Sequence, residues 1–174
     1  PAFAATTYVI DPSHTYPSFE ADHGGISYWR GKFNKTTGEV VLDRANETGT
    51  VNLTIDAASM DFGHNKMNEE AIGPKMLDTE QFPTITYVGK SMKFENGQPV
   101  EVVGELTMKG VTKPVNLTIN KFKCKPHPFV KREVCGADAQ TQINRSDFGV
   151  DYAVDMGFDP MVNVLISIEA IKQE

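Results

Sequence analysis

Residues 100–120 read VEVVGELTMKGVTKPVNLTIN. In the first half Val100, Val102, Leu106 and Met108 alternate with Glu101, Val103, Glu105 and Thr107; in the second, Val115, Leu117 and Ile119 alternate with Asn116, Thr118 and Asn120. Period-two alternation sends one set of side chains to each face of a strand, so the stretch predicts a β-hairpin with one apolar face. Setting Met108 against Val115 brings Leu106 to Leu117 and Gly104 to Ile119, so that the apolar sets share that face. The missing side chain at Gly104 then leaves room beside Ile119 or marks a bulge. Pro114, which lacks an N–H, suits the start of the second strand.

Outward from the hairpin, the chain holds the same pattern. Thr6–Asp11 is a short strand ended at Pro12, and Thr15–Asp22 and Ile26–Phe33 flank the pair Gly24-Gly25. Thr37-Gly38 reads as a turn. Glu39–Ala45 and Thr50–Asp56 read as two arms of a hairpin, with Val51, Leu53 and Ile55 alternating in the second. The period breaks over residues 57–82, where Ala57–Gly63 and Asn65–Ile72 predict short helical pieces stopped by Gly73-Pro74. Strands resume at Thr84–Lys93. Asn96-Gly97 supplies a hairpin turn, and Lys121–Cys135, Ala137–Arg145 and Val162–Ile171 follow around a Gly/Asp-rich section at Asp147–Pro160. Eight or more antiparallel strands with one helical insertion predict an all-β sandwich or barrel. The second face of each clear strand carries Glu, Asn, Thr and Lys, which suits water, so the apolar face points inward. A membrane barrel has the reverse polarity. An eight-stranded barrel is either plugged by its own side chains or holds one ligand, and periodicity does not choose between them.

Composition narrows the function classes. The 174 residues predict a single domain over 1–174 with a sizeable core. Seventeen Lys+Arg against 23 Asp+Glu leave a net charge of -6, which argues against nucleic acid as a partner. Pro1–Ala5 contains an A-x-A-like sequence, read as a signal-peptide remnant or a flexible start. Cys124 and Cys135 are even in number, close, and not spaced like a zinc or thioredoxin motif. We expect them to form a disulfide, which requires an oxidising compartment; two buried free thiols are the alternative. His14 and His23 lack further spaced ligands, so no metal site is expected. There is no GxSxG elbow, phosphate loop or HExxH motif, so an enzyme reading has almost nothing to rest on.

Five blocks in order resemble the YceI-like family of bacterial periplasmic, polyisoprenoid-binding proteins. They are Tyr8-x-Ile10-Asp11-x-x-His14 with Phe19 and His23; Gly31-x-Phe33 with Gly38; Phe82-Pro83-x-Ile85-x-Tyr87; Gly104-x-Leu106-Thr107-x-x-Gly110-Val111-Thr112-Lys113-Pro114-Val115; and Arg145-Ser146-Asp147-Phe148-Gly149. His64–Glu69 departs from the family's pattern. The resemblance implies an antiparallel, lipocalin-like eight-stranded barrel, exported to the periplasm. Its lumen would bind, sequester or carry a long-chain isoprenoid lipid, a polyprenyl lipid or an isoprenoid quinone. A homodimer is a further implied partner, and no cofactor is expected beyond the lipid. Apart from the resemblance, the cluster Lys121, Lys123, Lys125, Lys131 and Arg132 offers transient contact with a membrane or an acidic partner, or is a solvated hairpin. A filled barrel serving as an interaction protein for a membrane redox protein is a third reading. The rival readings are another fatty amphiphile, or a small enzyme acting on such a ligand.

On this reading the lumen is lined by Phe19, Trp29, Val51, Leu53, Ile55, Met67, Met76, Leu106, Met108, Leu117, Ile119, Phe148 and Ile166. A Trp at Leu117 would then reduce tail binding more than stability. Arg145 and His23 are the head-group candidates. The planar Arg145 guanidinium suits a pyrophosphate or a quinone carbonyl, or it pairs with Asp147 or another carboxylate to fix its loop. Seven methionines suit a floppy ligand or fill an irregular core.

Overall fold

The computed structural model describes residues 5–174; Pro1–Ala4, most of the proposed signal remnant, lie outside it. Twelve strand segments are β1 (Thr6–Ile10), β2 (Tyr16–His23), β3 (Ser27–Phe33), β4 (Thr36–Asp43), β5 (Thr48–Asp56), β6 (Met60–Asp61), β7 (Thr84–Glu95), β8 (Gln98–Met108), β9 (Val111–Pro114), β10 (Leu117–Pro126), β11 (Glu133–Asn144) and β12 (Met161–Lys172). The one α-helix among the described residues is α1 (Asn65–Ile72). Four pairs of segments are single strands with a kink. β1 and β2 both run along β12, β9 and β10 both run along β8, and β3–β4 lies against β5–β6. Counted this way, eight antiparallel strands follow one another around a meander that β1–β12 pairing closes. This is the eight-stranded barrel that the sequence predicts.

The organising hairpin is present with a shorter turn than expected. Lys109 and Gly110, with φ of 51° and 75°, connect the strands in two residues, a left-handed pair whose twist matches that of the strands. Met108 therefore faces Val111, Leu106 faces Lys113 and Leu117 faces Val102. The register differs from the expected one by four residues. An even shift keeps each side chain on its face, so the apolar set still points inward. Pro114 ends β9 rather than starting the second strand. The space at Gly104 serves Tyr87, not Ile119: a Cβ there would sit 2.6 Å from the Tyr87 hydroxyl. A bulge does lie opposite, in β7 between Gly89 and Ser91.

Two other expectations change. Thr37-Gly38 lies inside β4 rather than in a turn; at Gly38 the φ is 144° and a Cβ would meet the Asn52 carbonyl oxygen at 2.0 Å, so the strand bends where only glycine fits. Ala57–Gly63 is one 3-10 turn followed by β6, not a helix, because the Asp56 carboxylate caps only Ala58 before the chain extends. The predicted helix Asn65–Ile72 is α1, with the His64 ring accepting from the Met67 N–H at 3.1 Å.

The two ends of the barrel are built differently. The lower end, where β1 meets β4, is a core of buried side chains around Tyr8, Ile10, Leu42, Val51, Leu53 and Leu117, with little space left among them. Cys124 and Cys135 face each other across β10 and β11 and are disulfide-bonded. The Tyr8 hydroxyl donates to Glu133, which also accepts from Arg44 at 2.8 Å; burial and the Glu133 bond push the Tyr8 phenol up to about 12. At the upper end β6 pairs with β3 alone, so the sheet opens between β6 and β7. The connecting segment with α1 packs over this opening, burying Ala71 and Leu77.

Candidate functional site

The opening at the upper end leads into a cavity of about 380 Å³. Its walls come from three sources. β2, β3 and β12 contribute alternate inward residues, among them Phe19, Trp29, Phe33, Val162 and Val164. The α1 segment adds Met67, Ala71, Met76 and Leu77, and the loop between β11 and β12 adds Val150, Ala153, Met156 and Phe158. Five of the seven methionines, Met60, Met67, Met76, Met108 and Met156, line this one space. Unbranched thioethers adapt to irregular shapes, so the wall is apolar and deformable together. Aromatic rings crowd one side: Phe19 packs against Phe33 at 5.8 Å and edge-on against Phe62 at 5.2 Å, and Trp29 lies 6.4 Å from Phe62.

Polar groups are few and sit at the rim. His23 stacks on Trp29 at 4.5 Å, with Phe158 edge-on at 5.7 Å. Arg145 begins a 3-10 turn after β11, capped by the Asn144 side chain. Its backbone N–H donates to the Pro160 carbonyl, and its carbonyl accepts from Val150. One guanidinium N–H donates to the Val150 carbonyl at 2.8 Å. Among the described residues this is the guanidinium's single hydrogen bond, and no ion pair to Asp147 forms; Arg145 is also one of the residues that line the cavity. Burial lowers the Arg145 pKa, while Asp151 and Asp159 favour the charge. Arg145 thus fixes its loop through a carbonyl rather than a carboxylate, with donors left over.

A second, smaller chamber of about 70 Å³ lies at the lower end. The residues expected to line one lumen divide between the two. Phe19, Trp29, Met67, Met76 and Met108 line the upper cavity together with Arg145 and His23. Val51, Leu53, Leu117, Ile119 and Ile166 surround the lower chamber. Ile55 and Phe148 are buried in the core beside the upper cavity without lining it, and Leu106 packs against both core clusters. Sequence reasoning missed Phe62, Phe158 and the loop 150–156. These sit in irregular segments with no period to read, whereas Val162 and Val164 were legible from the same alternation that exposes Ile166. His14 does not reach the cavity; it bonds Asp11 at 2.7 Å beside the kink between β1 and β2.

A closed up-and-down barrel with an apolar cavity open at one end belongs to the lipocalin-like class of small-molecule-binding folds. The YceI-like domain model matches residues 8–170, and the chain belongs to that family. It is 29% identical over 98% of its length to Protein YceI of Escherichia coli, covering 89% of that protein. Among solved structures it is similar to BcnA of Burkholderia cenocepacia, with a TM-score of 0.76 at 24% identity over 92% of this chain and 99% of that one. It is also similar to a polyisoprenoid binding domain from Saccharophagus degradans implicated in plant cell wall breakdown, with a TM-score of 0.70 at 13% identity over 97% and 99%. No helix among the described residues is long and apolar enough to cross a membrane.

Proposed function

We propose that the protein binds an isoprenoid lipid, a polyprenyl lipid or an isoprenoid quinone, in the upper cavity, and sequesters or carries it in the periplasm without chemically changing it. The observation that carries this reading is the 380 Å³ apolar cavity whose wall holds five methionines and whose rim holds Arg145 and His23. A methyl-branched, unsaturated tail is irregular in cross-section, and a thioether-rich wall can follow it. The disulfide supports an oxidising compartment, and the polyisoprenoid-binding relative supports the ligand class. Transient contact with a membrane or a membrane redox protein would load and unload the barrel; a homodimer is compatible with it.

Selectivity follows from where the ligand starts. A tail in a bilayer is already out of water, so most of the hydrophobic gain, about 0.8 kcal/mol per CH₂, cancels on transfer. What remains is shape fit and the exchange of head-group hydration for protein contacts, for which Arg145 is the first candidate and His23 the second. The test is competition between lipids of equal tail length offered from vesicles. Arg145→Ala should retain tail uptake and lose head-group preference; an unchanged preference would leave Arg145 as a loop-fixing residue only.

A further inference from the structure

Two segments at opposite ends of the barrel carry opposite charge. Residues 121–132, the end of β10 and the turn into β11, hold Lys121, Lys123, Lys125, Lys131 and Arg132 and no acid. Residues 146–160, in the loop beside the cavity mouth, hold Asp147, Asp151, Asp155 and Asp159 and no Lys or Arg. On a chain of net charge -6 the cations of the hairpin are therefore set apart. Its construction presents them to solvent. Phe122 and Cys124 pack inward on the lower core, and the disulfide joins the two arms. Alternation then puts Lys121, Lys123 and Lys125 together on the outer face, all three exposed. Among the described residues none of the five cations forms an ion pair. At the tip Phe129 is 91% exposed. The His127 ring accepts from the N–H groups of Phe129 and Val130 at 3.1 Å, so the turn folds on itself and leaves the phenyl ring in solvent.

We propose that the β10–β11 hairpin is a reversible tether to an anionic lipid surface, with Phe129 entering the headgroup layer and the five cations meeting anionic headgroups. An aromatic ring at the tip of a basic segment gains twice at such a surface, by leaving water and by bringing its cations into the negative potential. The mouth end also exposes apolar side chains, Ile26 and Met156. There, however, the Asp22 carboxylate closes the turn before Ile26 by accepting from Gly25, and Asp155 precedes Met156, so an anionic surface repels that end. The barrel is held near its closed end and its mouth stays open. The tether does not depend on what the cavity takes, and it is separate from the contact that loads the barrel.

The experiment is sedimentation with phosphatidylcholine vesicles, plain or containing about one-third phosphatidylglycerol. The wild type should partition at least about tenfold better onto the anionic vesicles, and about 0.5 M salt should release it. Changing Lys121, Lys123 and Lys125 together to Gln should lower that partition at least about tenfold. The same change at Lys35, Lys66 and Lys113, exposed on other elements, should lower it less than about twofold. Equal losses in the two triple variants would mean that net charge alone governs, and would overturn the proposal. Phe129→Ser, at a side chain the fold does not bury, should cost about fivefold; an unchanged partition would overturn entry of the tip. Orientation is read with a nitroxide on the lipid headgroup. Trp29, the single tryptophan, lines the cavity and should stay bright, whereas Phe129→Trp should add a quenched emission. Equal quenching of Trp29 would put the mouth on the bilayer and overturn the proposal. So would absence from anionic vesicles combined with retention on immobilised polyglutamate, which would assign the hairpin to an acidic protein. A salt-sensitive complex formed without vesicles, in place of vesicle binding, would overturn it in favour of a second copy's acidic loop.

Discussion

The same strands make a tight lower end and a roomy upper one. β12 shows the contrast within twelve residues: Val162 and Val164 line the 380 Å³ cavity, whereas Ile166, Ile168 and Ala170 surround only 70 Å³. At the lower end the barrel is closed by β1–β4 pairing, joined by the disulfide and tied by Tyr8, Glu133 and Arg44. At the upper end the strands kink, β6 pairs with β3 alone, and a helical segment stands where a strand partner would be. Stability and capacity are therefore assigned to different ends of one sheet. A cavity can be kept open at the top because it is not asked to hold the barrel shut.

The largest expected effect tests that division of labour. Leu53→Ala removes a 4% exposed side chain from the lower core and should destabilise by about 2–5 kcal/mol. Met67→Ala, at the half-buried cavity wall, should cost about 1 kcal/mol or less, since part of the space beside it is already empty. Urea unfolding of both variants decides; equal losses would mean that the two ends share the load. Next in size is the disulfide. Replacing Cys124 and Cys135 by Ala should lower stability by about 2–3 kcal/mol in the chain-entropy model and leave ligand uptake unaffected. Alkylation of the unreduced, denatured wild type should add no label. Smaller again is Leu117→Trp. The structure places Leu117 in the packed lower core, so overpacking should cost about 1–3 kcal/mol with ligand capacity unchanged. That reverses the order of effects expected when all inward residues are taken to line one lumen; a loss of uptake with full stability would restore the single-lumen view.

The contrast between the ends was only half legible in the sequence. Alternation places Leu106, Leu117, Ile166 and Val51 on the inner face whatever the register, because faces depend on parity alone. That is why the barrel could be read even though the hairpin turn was two residues rather than six. Height along the axis is not written in parity. It depends on the Lys109–Gly110 turn, on the bulge opposite Gly104 and on the kinks at Pro12–His14 and near Gly38, each a matter of one residue's backbone. The contact of Tyr87 with Gly104 and Val115 was invisible for the same reason: the three meet only once the register is known. Arg145 and His23 were legible as polar interruptions, but the rim loop 150–158 carries no period and so gave no sign that its apolar residues turn inward.

The smallest effect concerns the joint at which β1 of the lower end becomes β2 of the upper. The turn Pro12–His14 is held to β12 by the Asp11 N–H, which donates to the Glu169 carbonyl at 2.9 Å, and by the buried Thr15 hydroxyl bonded to the same residue. His14 adds a pH-sensitive contact. Its hydrogen bond to Asp11 raises its pKa above 6.5, helped by the charges of Asp11 and of Glu169, 3.9 Å away. Partial burial pushes Asp11 up, but the bonds from His14 and Ser13 outweigh it and leave the carboxyl below 3.8. A raised histidine stabilises fully below its unfolded value and loses that contribution as pH rises through the folded one; a depressed carboxyl contributes fully above its unfolded value and loses it as pH falls through the folded one. The pair is therefore at full strength between about pH 4 and 6.5. His14→Ala should lower the thermal midpoint more at pH 5 than at pH 8.5, and only slightly at either because the pair is exposed to solvent. The same loss at both pH values would show that His14 braces the joint as a neutral hydrogen-bonding ring. A loss confined to pH 5 would show that the connection between the two ends carries a charge-dependent part.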